Sequence, residues 1–169
     1  NPTPNYYEGL QWYYYTQSRV IRCGFELQAD WKILPSLSAE FKGEYLYAEQ
    51  LSGEKKGYTL PFSTPWSADA TLRYAFCRKN VGNEGFVAMN MHVTGRQNNI
   101  VPPEKPTPGY YTLNLTAGKD FAFGERTLRL SLNAENLLNR KYYDHTSFYR
   151  LIDVPEPGRN VALMATFEF

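Results

Sequence analysis

From Arg19 onward, apolar and polar residues fall at alternate positions over unusually long stretches. Between Arg19 and Ile33, Cys23, Phe25, Leu27, Ala29, Trp31 and Ile33 alternate with Gly24, Glu26, Gln28, Asp30 and Lys32. An extended chain sends successive side chains to opposite faces, whereas a helix would scatter both sets around its circumference. The stretch therefore reads as a strand with one apolar and one polar face, and whatever it folds into must cover the apolar face.

The pattern recurs. From about Ser36 to Gln50, Leu37, Ala39, Phe41, Gly43, Tyr45 and Tyr47 oppose Ser38, Glu40, Lys42 and Glu44. Trp66–Phe76, Phe86 to about Gln97, and Tyr110–Phe123 alternate in the same way. Thr127 to about Tyr143 begins with Leu128, Leu130, Leu132 and Ala134 against Arg129, Ser131, Asn133 and Glu135. The last stretch, Arg159–Phe169, carries Val161, Leu163, Ala165, Phe167 and Phe169 on one face. Residues 1–18 form an aromatic-rich entry segment, read as extended and suited either to a membrane interface or to an ordinary edge strand. The expectation is an all-β, antiparallel meander of seven or eight long strands, with a first segment at 1–18 and the strands at 19–169.

The connections alternate in length. Short turns follow the first, third and fifth strands, and long loops rich in Gly and Pro follow the second, fourth and sixth. Short connections at one end and long ones at the other are the mark of a transmembrane β-barrel. Composition agrees. The mean hydropathy is -0.52, and the longest wholly apolar run is Val161–Ala165, far short of the about 20 residues of a spanning helix. A barrel strand is apolar on its lipid side alone, so its average stays polar. Eighteen basic residues against 17 acidic ones give no field that would favour nucleic acid. Asn1–Pro4 is not a leader sequence, so a leader is expected to have been cleaved upstream, or the chain is part of a longer protein. Cys23 and Cys77 are expected at opposite ends and on opposite faces, too far apart for a disulfide.

Particular residues carry a family resemblance. Asn136-Leu137-Leu138-Asn139-Arg140-Lys141-Tyr142-Tyr143-Asp144-His145, then Pro157-Gly158-Arg159-Asn160, a final strand and a terminal aromatic residue follow in order. Further upstream stands Arg22-Cys23-Gly24-Phe25-Glu26-Leu27-Gln28-Ala29. Together, from about Arg19 to Phe169, these resemble the carboxyl-terminal barrel strands of TonB-dependent outer-membrane receptors. The resemblance implies a piece of a plugged 22-stranded barrel, a size class known among outer-membrane transporters. It also implies a Gram-negative outer membrane and energy-coupled uptake of a scarce nutrient: an iron chelate, haem, cobalamin or another metal complex. The implied partners are a plug domain, the remaining strands, TonB acting through the amino-terminal part, the barrel-assembly machinery, lipid and the ligand.

Within that reading Phe167 and Phe169 resemble the assembly signal. Tyr149, Arg150, Asp153 and His145, in the last long loop, are the candidates for substrate contact. No cofactor or metal site is expected: His92 and His145 lack further ligands at useful spacing, and Met89 and Met91 share the apolar face. Arg73, Arg96 and Arg129 face the polar side and are expected in ion pairs with Asp69, Glu40 or Glu135, with contact to an anionic chelate as the alternative. A short helix over Ala134–Arg140 is the competing local reading. Hydrolase, phosphate-loop and zinc-protease motifs are missing, so no enzyme is expected. Two other readings remain: a self-contained barrel of about eight strands, and a soluble β-sandwich that buries its apolar face between two sheets.

Overall fold

The computed structural model describes residues 2–13, 17–76 and 83–169. Strands β1 (Pro2–Tyr7) and β2 (Leu10–Tyr13) form a hairpin of their own. Glu8 and Gly9 join them with φ of 50° and 80°, the left-handed pair that two-residue hairpin turns require. The entry segment thus does not supply an eighth strand to the main sheet.

Seven strands build that sheet: β3 (Val20–Leu34), β4 (Leu37–Gln50), β5 (Ser67–Phe76), β6 (Gly85–Thr94), β7 (Tyr110–Phe123), β8 (Arg126–Glu135) and β9 (Asn160–Glu168). They lie in chain order, each antiparallel to the next. There is no α-helix among the described residues. β6 stops at Thr94, three residues before the expected end: one more cross-strand bond follows, from Gly95 N to Trp66 O (2.8 Å), and Gln97 then bridges Thr107 of its own loop. β8 stops at Glu135 instead of about Tyr143, because Asn136 takes a φ of 46°. The helix considered for 134–140 does not form; Asn136 and Asn139 are both left-handed and bracket a turn.

The register lines up the two faces. One row of cross-strand partners runs Trp31, Ala39, Leu72, Met89, Leu115, Ala134, Val161 across all seven strands. On the other face, Gln28, Lys42, Asp69, His92 and Thr112 form a polar row. No second layer covers the apolar row. Trp31 is 67% and Leu163 is 75% exposed, and the buried apolar residues number only Ala48, Val101, Tyr110 and Ala134 among the described residues. This excludes the sandwich, whose apolar faces would meet. It also departs from a small closed barrel: β3 and β9 each have one neighbour, so the sheet does not close on itself.

The short-turn end carries paired aromatics on the apolar face, Tyr74 with Phe76 and Phe167 with Phe169, each at 6.4 Å between ring centres. Transmembrane barrels carry girdles of aromatic residues where hydrocarbon meets water. Lys119, on the same face, holds its ammonium 5.7 Å from the Phe76 ring centre and 5.4 Å from that of Phe121, and donates it to Asn83 O at 2.6 Å.

The polar face holds its charges differently from expectation. Arg129 makes two hydrogen bonds to its cross-strand partner Asp120 (2.9 and 3.0 Å). Arg73 lies 3.5 Å over the Phe86 ring, which in turn covers Gly118, where a Cβ would sit 2.6 Å from the ring. Arg96 makes no ion pair among the described residues.

The sheet is uneven at the long-loop end. β4 pairs with β5 only over Leu37–Glu44, but with β3 as far as Gln50. Tyr45–Gln50 therefore stand beyond β5 by about 20 Å, at roughly 3.3 Å per residue.

Candidate functional site

The long-loop end is where side chains from separate parts of the chain converge. Three segments, 51–66, 95–109 and 136–159, leave the sheet there.

The stem of the last one is clasped by asparagines. Asn136 is 4% exposed. Its side-chain oxygen accepts from Arg140 N (2.9 Å), and its amide donates to Arg140 O (2.9 Å) and Pro157 O (3.3 Å). Asn139 accepts from Arg159 N (2.9 Å). Asparagine tolerates the left-handed backbone better than other residues with a Cβ, and it brings its own hydrogen bonds. Gly158 must be glycine for a different reason: a Cβ there would lie 2.7 Å from Asn139 Oδ1. The Asn-Leu-Leu-Asn and Pro-Gly-Arg-Asn stretches thus close the two ends of one loop.

Beyond the stem the three loops pack on one another. Glu104 and Arg150 form an ion pair at 2.9 Å, with side chains 9% and 6% exposed. Glu104 Oε1 also accepts from Phe62 N (2.9 Å). Arg150 donates to His145 O (2.7 Å), and its guanidinium lies 5.1 Å from the Phe62 ring, which packs on Phe148 at 4.7 Å. Gln97 donates to Ser63 O (2.8 Å) and Lys55 to Pro102 O (3.0 Å). His145 Nδ1 meets Thr107 Oγ1 at 2.7 Å. A paired, hydrogen-bonded charge is the one way to bury an arginine without a large penalty.

His145 is 2% exposed, and its Nε2 has no partner. Burial, and then the charge on Arg150, hold this imidazole below its ordinary range. Burial alone would raise the neighbouring Asp144, but hydrogen bonds from the Thr146 hydroxyl and amide and from Tyr110 outweigh it and hold the carboxyl below its usual range.

Beneath the loops, on the polar face, lies a groove of about 380 Å³ lined by Asp69, Asn90, His92, Asn114, Glu135 and Tyr142, among others. Its side chains are already bonded to each other. His92 Nδ1 meets Asp69 (3.0 Å) and Nε2 meets Thr94 (2.9 Å); Asn90 donates to Asp69 (3.2 Å) and Thr71 (3.0 Å); Asn114 donates to Asn90 (3.1 Å).

The four loop residues expected to touch substrate divide. Arg150 and His145 point into the packing between loops. Tyr149 is 60% exposed and Asp153 is exposed as well, with a φ of 58° at the end of the 3₁₀ turn Phe148–Ile152. Phe167 and Phe169 lie on the apolar face, 51% and 98% exposed. Cys23 is exposed and unpaired, and Cys77 lies outside the described residues. Glu104 and Thr107 were not legible as site residues. Their one signal is a polar pair among the prolines of 102–108, where a stiff backbone can present a side chain at low entropic cost.

Comparison with known proteins agrees with this architecture. No curated protein matches the sequence. The copper transporter OprC, a solved structure, shares the fold with a TM-score of 0.75 at 20% identity, over 91% of this chain and 24% of that one. This chain therefore spans about a quarter of that transporter's length. The family model for the TonB dependent receptor-like β-barrel matches residues 1–137. With a seven-stranded antiparallel sheet, an uncovered apolar face and long loops at one end only, the chain belongs to the TonB-dependent receptor family, as part of its β-barrel.

Proposed function

We propose that this chain is a wall segment of an energy-coupled uptake receptor in a Gram-negative outer membrane, and that the receptor imports a scarce nutrient carried as a metal complex. The observation that carries the reading is the unbroken apolar row from Trp31 to Val161 with no protein layer over it. In water such a face would be far larger than a soluble protein exposes; against lipid it is the stable arrangement. In this reading the polar face lines the lumen against a plug domain, the free edges of β3 and β9 pair with the remaining strands, and TonB acts through the plug. Tyr149 and Asp153 are the ligand contacts, with Arg150 and His145 holding their loop from behind.

The metal-complex class stays broad. Copper is what the matched transporter's name specifies. Here Met89 and Met91 lie on the apolar face, and His92 is committed to Asp69 and Thr94. No group of three His, Cys, Asp or Glu residues fit to hold a metal occurs among the described residues.

Uptake of labelled ferric chelate, haem, cobalamin and copper in cells with and without the full-length receptor tests the proposal. At least a tenfold loss is expected for one of the four, matched by removal of TonB. Equal uptake of all four would overturn it. A second prediction concerns the terminal ring. Deleting Phe169 from the full receptor should lower its surface level several-fold; an unchanged level would remove the assembly-signal role from this residue.

A further inference from the structure

We propose that the loops 51–66, 95–109 and 136–159 open and close as one unit, and that protonation of His145 opens it. The inference takes these loops to be the ligand-facing mouth of the receptor, as above, and adds a control on that mouth.

The contacts that hold the loops run between segments. Phe62 and Ser63 come from the first; Gln97, Pro102, Glu104 and Thr107 from the second; His145 and Arg150 from the third. Glu104 bonds to both other loops with a single carboxylate. No loop can leave without uncovering buried charge on another.

His145 is the member that can change state. The neutral ring is satisfied when Nδ1–H donates to Thr107 Oγ1 and Nε2 is left as a bare acceptor, because an unmet acceptor costs less than an unmet donor. Protonation puts a hydrogen on Nε2, where no acceptor lies. It also adds a positive charge beside Arg150, whose Nε already donates to His145 O.

Glu104 and Asp144 favour the charged ring, but burial and the Arg150 charge outweigh them, and neither gives Nε2 an acceptor. Glu104, from the second loop, is occupied by Arg150 and Phe62 N. Asp144, beside His145, is occupied by Thr146 and Tyr110. The first loop contributes the Phe62 ring against Arg150, and Lys55, whose ammonium is taken by Pro102 O. Opening the assembly gives Nε2 to water.

The sign follows from linkage. The closed state binds the proton more weakly than the open state, whose imidazole titrates near the ordinary 6.5. Closure is therefore fully favoured above that value and is lost as pH falls below it. Between pH 7.5 and 5.5 the open-to-closed ratio should rise by up to about tenfold, the limit for one proton over the unit below 6.5.

Hydrogen exchange on the full-length receptor in detergent or lipid, corrected for intrinsic exchange rates, reads this ratio without any ligand. Slow amides in all three loops, Phe62, Gln97 and Asp153 among them, should exchange up to about tenfold faster at pH 5.5 than at 7.5. His145→Asn, which keeps a partner for Thr107 but cannot take up the proton, should bring the ratio close to one. An unchanged pH response in that variant, or acceleration of 136–159 alone, would overturn the proposal. If neither His145→Asn nor His145→Gln assembles, the native receptor still decides it. A shared midpoint for the three loops below pH 6.5 supports a single unit, and separate midpoints overturn it. Failure here would leave the uptake reading intact, since the measurement needs no transport.

Discussion

Replacing Asn136 by alanine is expected to destabilise the barrel wall by about 3–4 kcal/mol, near the upper end for a single substitution. The side chain is almost fully buried and makes three hydrogen bonds, one of them to Pro157 on the far side of a loop of more than twenty residues. Alanine would remove the side-chain partner of Arg140 N and of the Arg140 and Pro157 carbonyls. It would also have to adopt a φ of 46°, which asparagine tolerates and alanine resists. The effect should appear as a lower denaturant midpoint for the folded, fast-migrating form of the full receptor in detergent. Asn136→Asp, which keeps the acceptor for Arg140 N but loses the donor, should fall between the two. A midpoint unchanged in Asn136→Ala would mean that the clasp closes the loop without holding the wall together.

Glu104→Ala should loosen all three outer loops by about 3–5 kcal/mol, the usual cost of stranding one member of a buried ion pair. Arg150 would keep its charge inside the loop packing, with His145 O and the face of Phe62 as its remaining contacts. The signature is local. Loop amides should exchange orders of magnitude faster and Lys56, in the 51–66 loop, should become a tryptic site, while the strands stay protected. Arg150→Ala should do much the same, and the double variant should cost far less than the sum, because two members of one pair are not independent. Additive effects would show that Glu104 and Arg150 act separately. Replacing the pair with Glu104→Leu and Arg150→Met should restore most of the order, as buried pairs often give way to well-packed apolar groups at little cost.

The sheet was legible in the sequence because a period of two leaves no other regular structure open, and the register row from Trp31 to Val161 follows the alternation strand by strand. The strand ends were less legible. Propensity alone extends β8 toward Tyr143, yet a single left-handed Asn136 ends it at Glu135, and that conformation is held by Pro157, which lies far off in sequence. The candidate site was legible only in part. The last long loop stood out as a place for ligand contacts, but Arg150 turned out to be a buried half of an ion pair whose partner lies in another loop. A one-dimensional pattern shows which side of a strand a residue takes. It does not show which loop will lie over which. The arginines of the polar face make the same point: Arg129 chose its direct cross-strand neighbour Asp120, and Arg73 chose an aromatic face.

The six residues of β4 that stand beyond β5 have a consequence for leakage. On their polar side Ala48 and Gln50 are buried, because Gln50 reaches Thr59 O (2.8 Å) and its backbone bonds to Gly57 and Tyr58. The 51–66 loop is therefore folded against the polar side of a raised wall, which is the lumen side in the receptor proposed above. A solute drifting toward the lumen along this arc meets packed loop before it meets the width of the sheet. In that receptor, how well this part of the wall excludes passive traffic depends on the bonds at Gln50 together with those of Lys55, Phe62 and Ser63 to the second loop, and a large-bore barrel can stay tight to bystanders without being narrow.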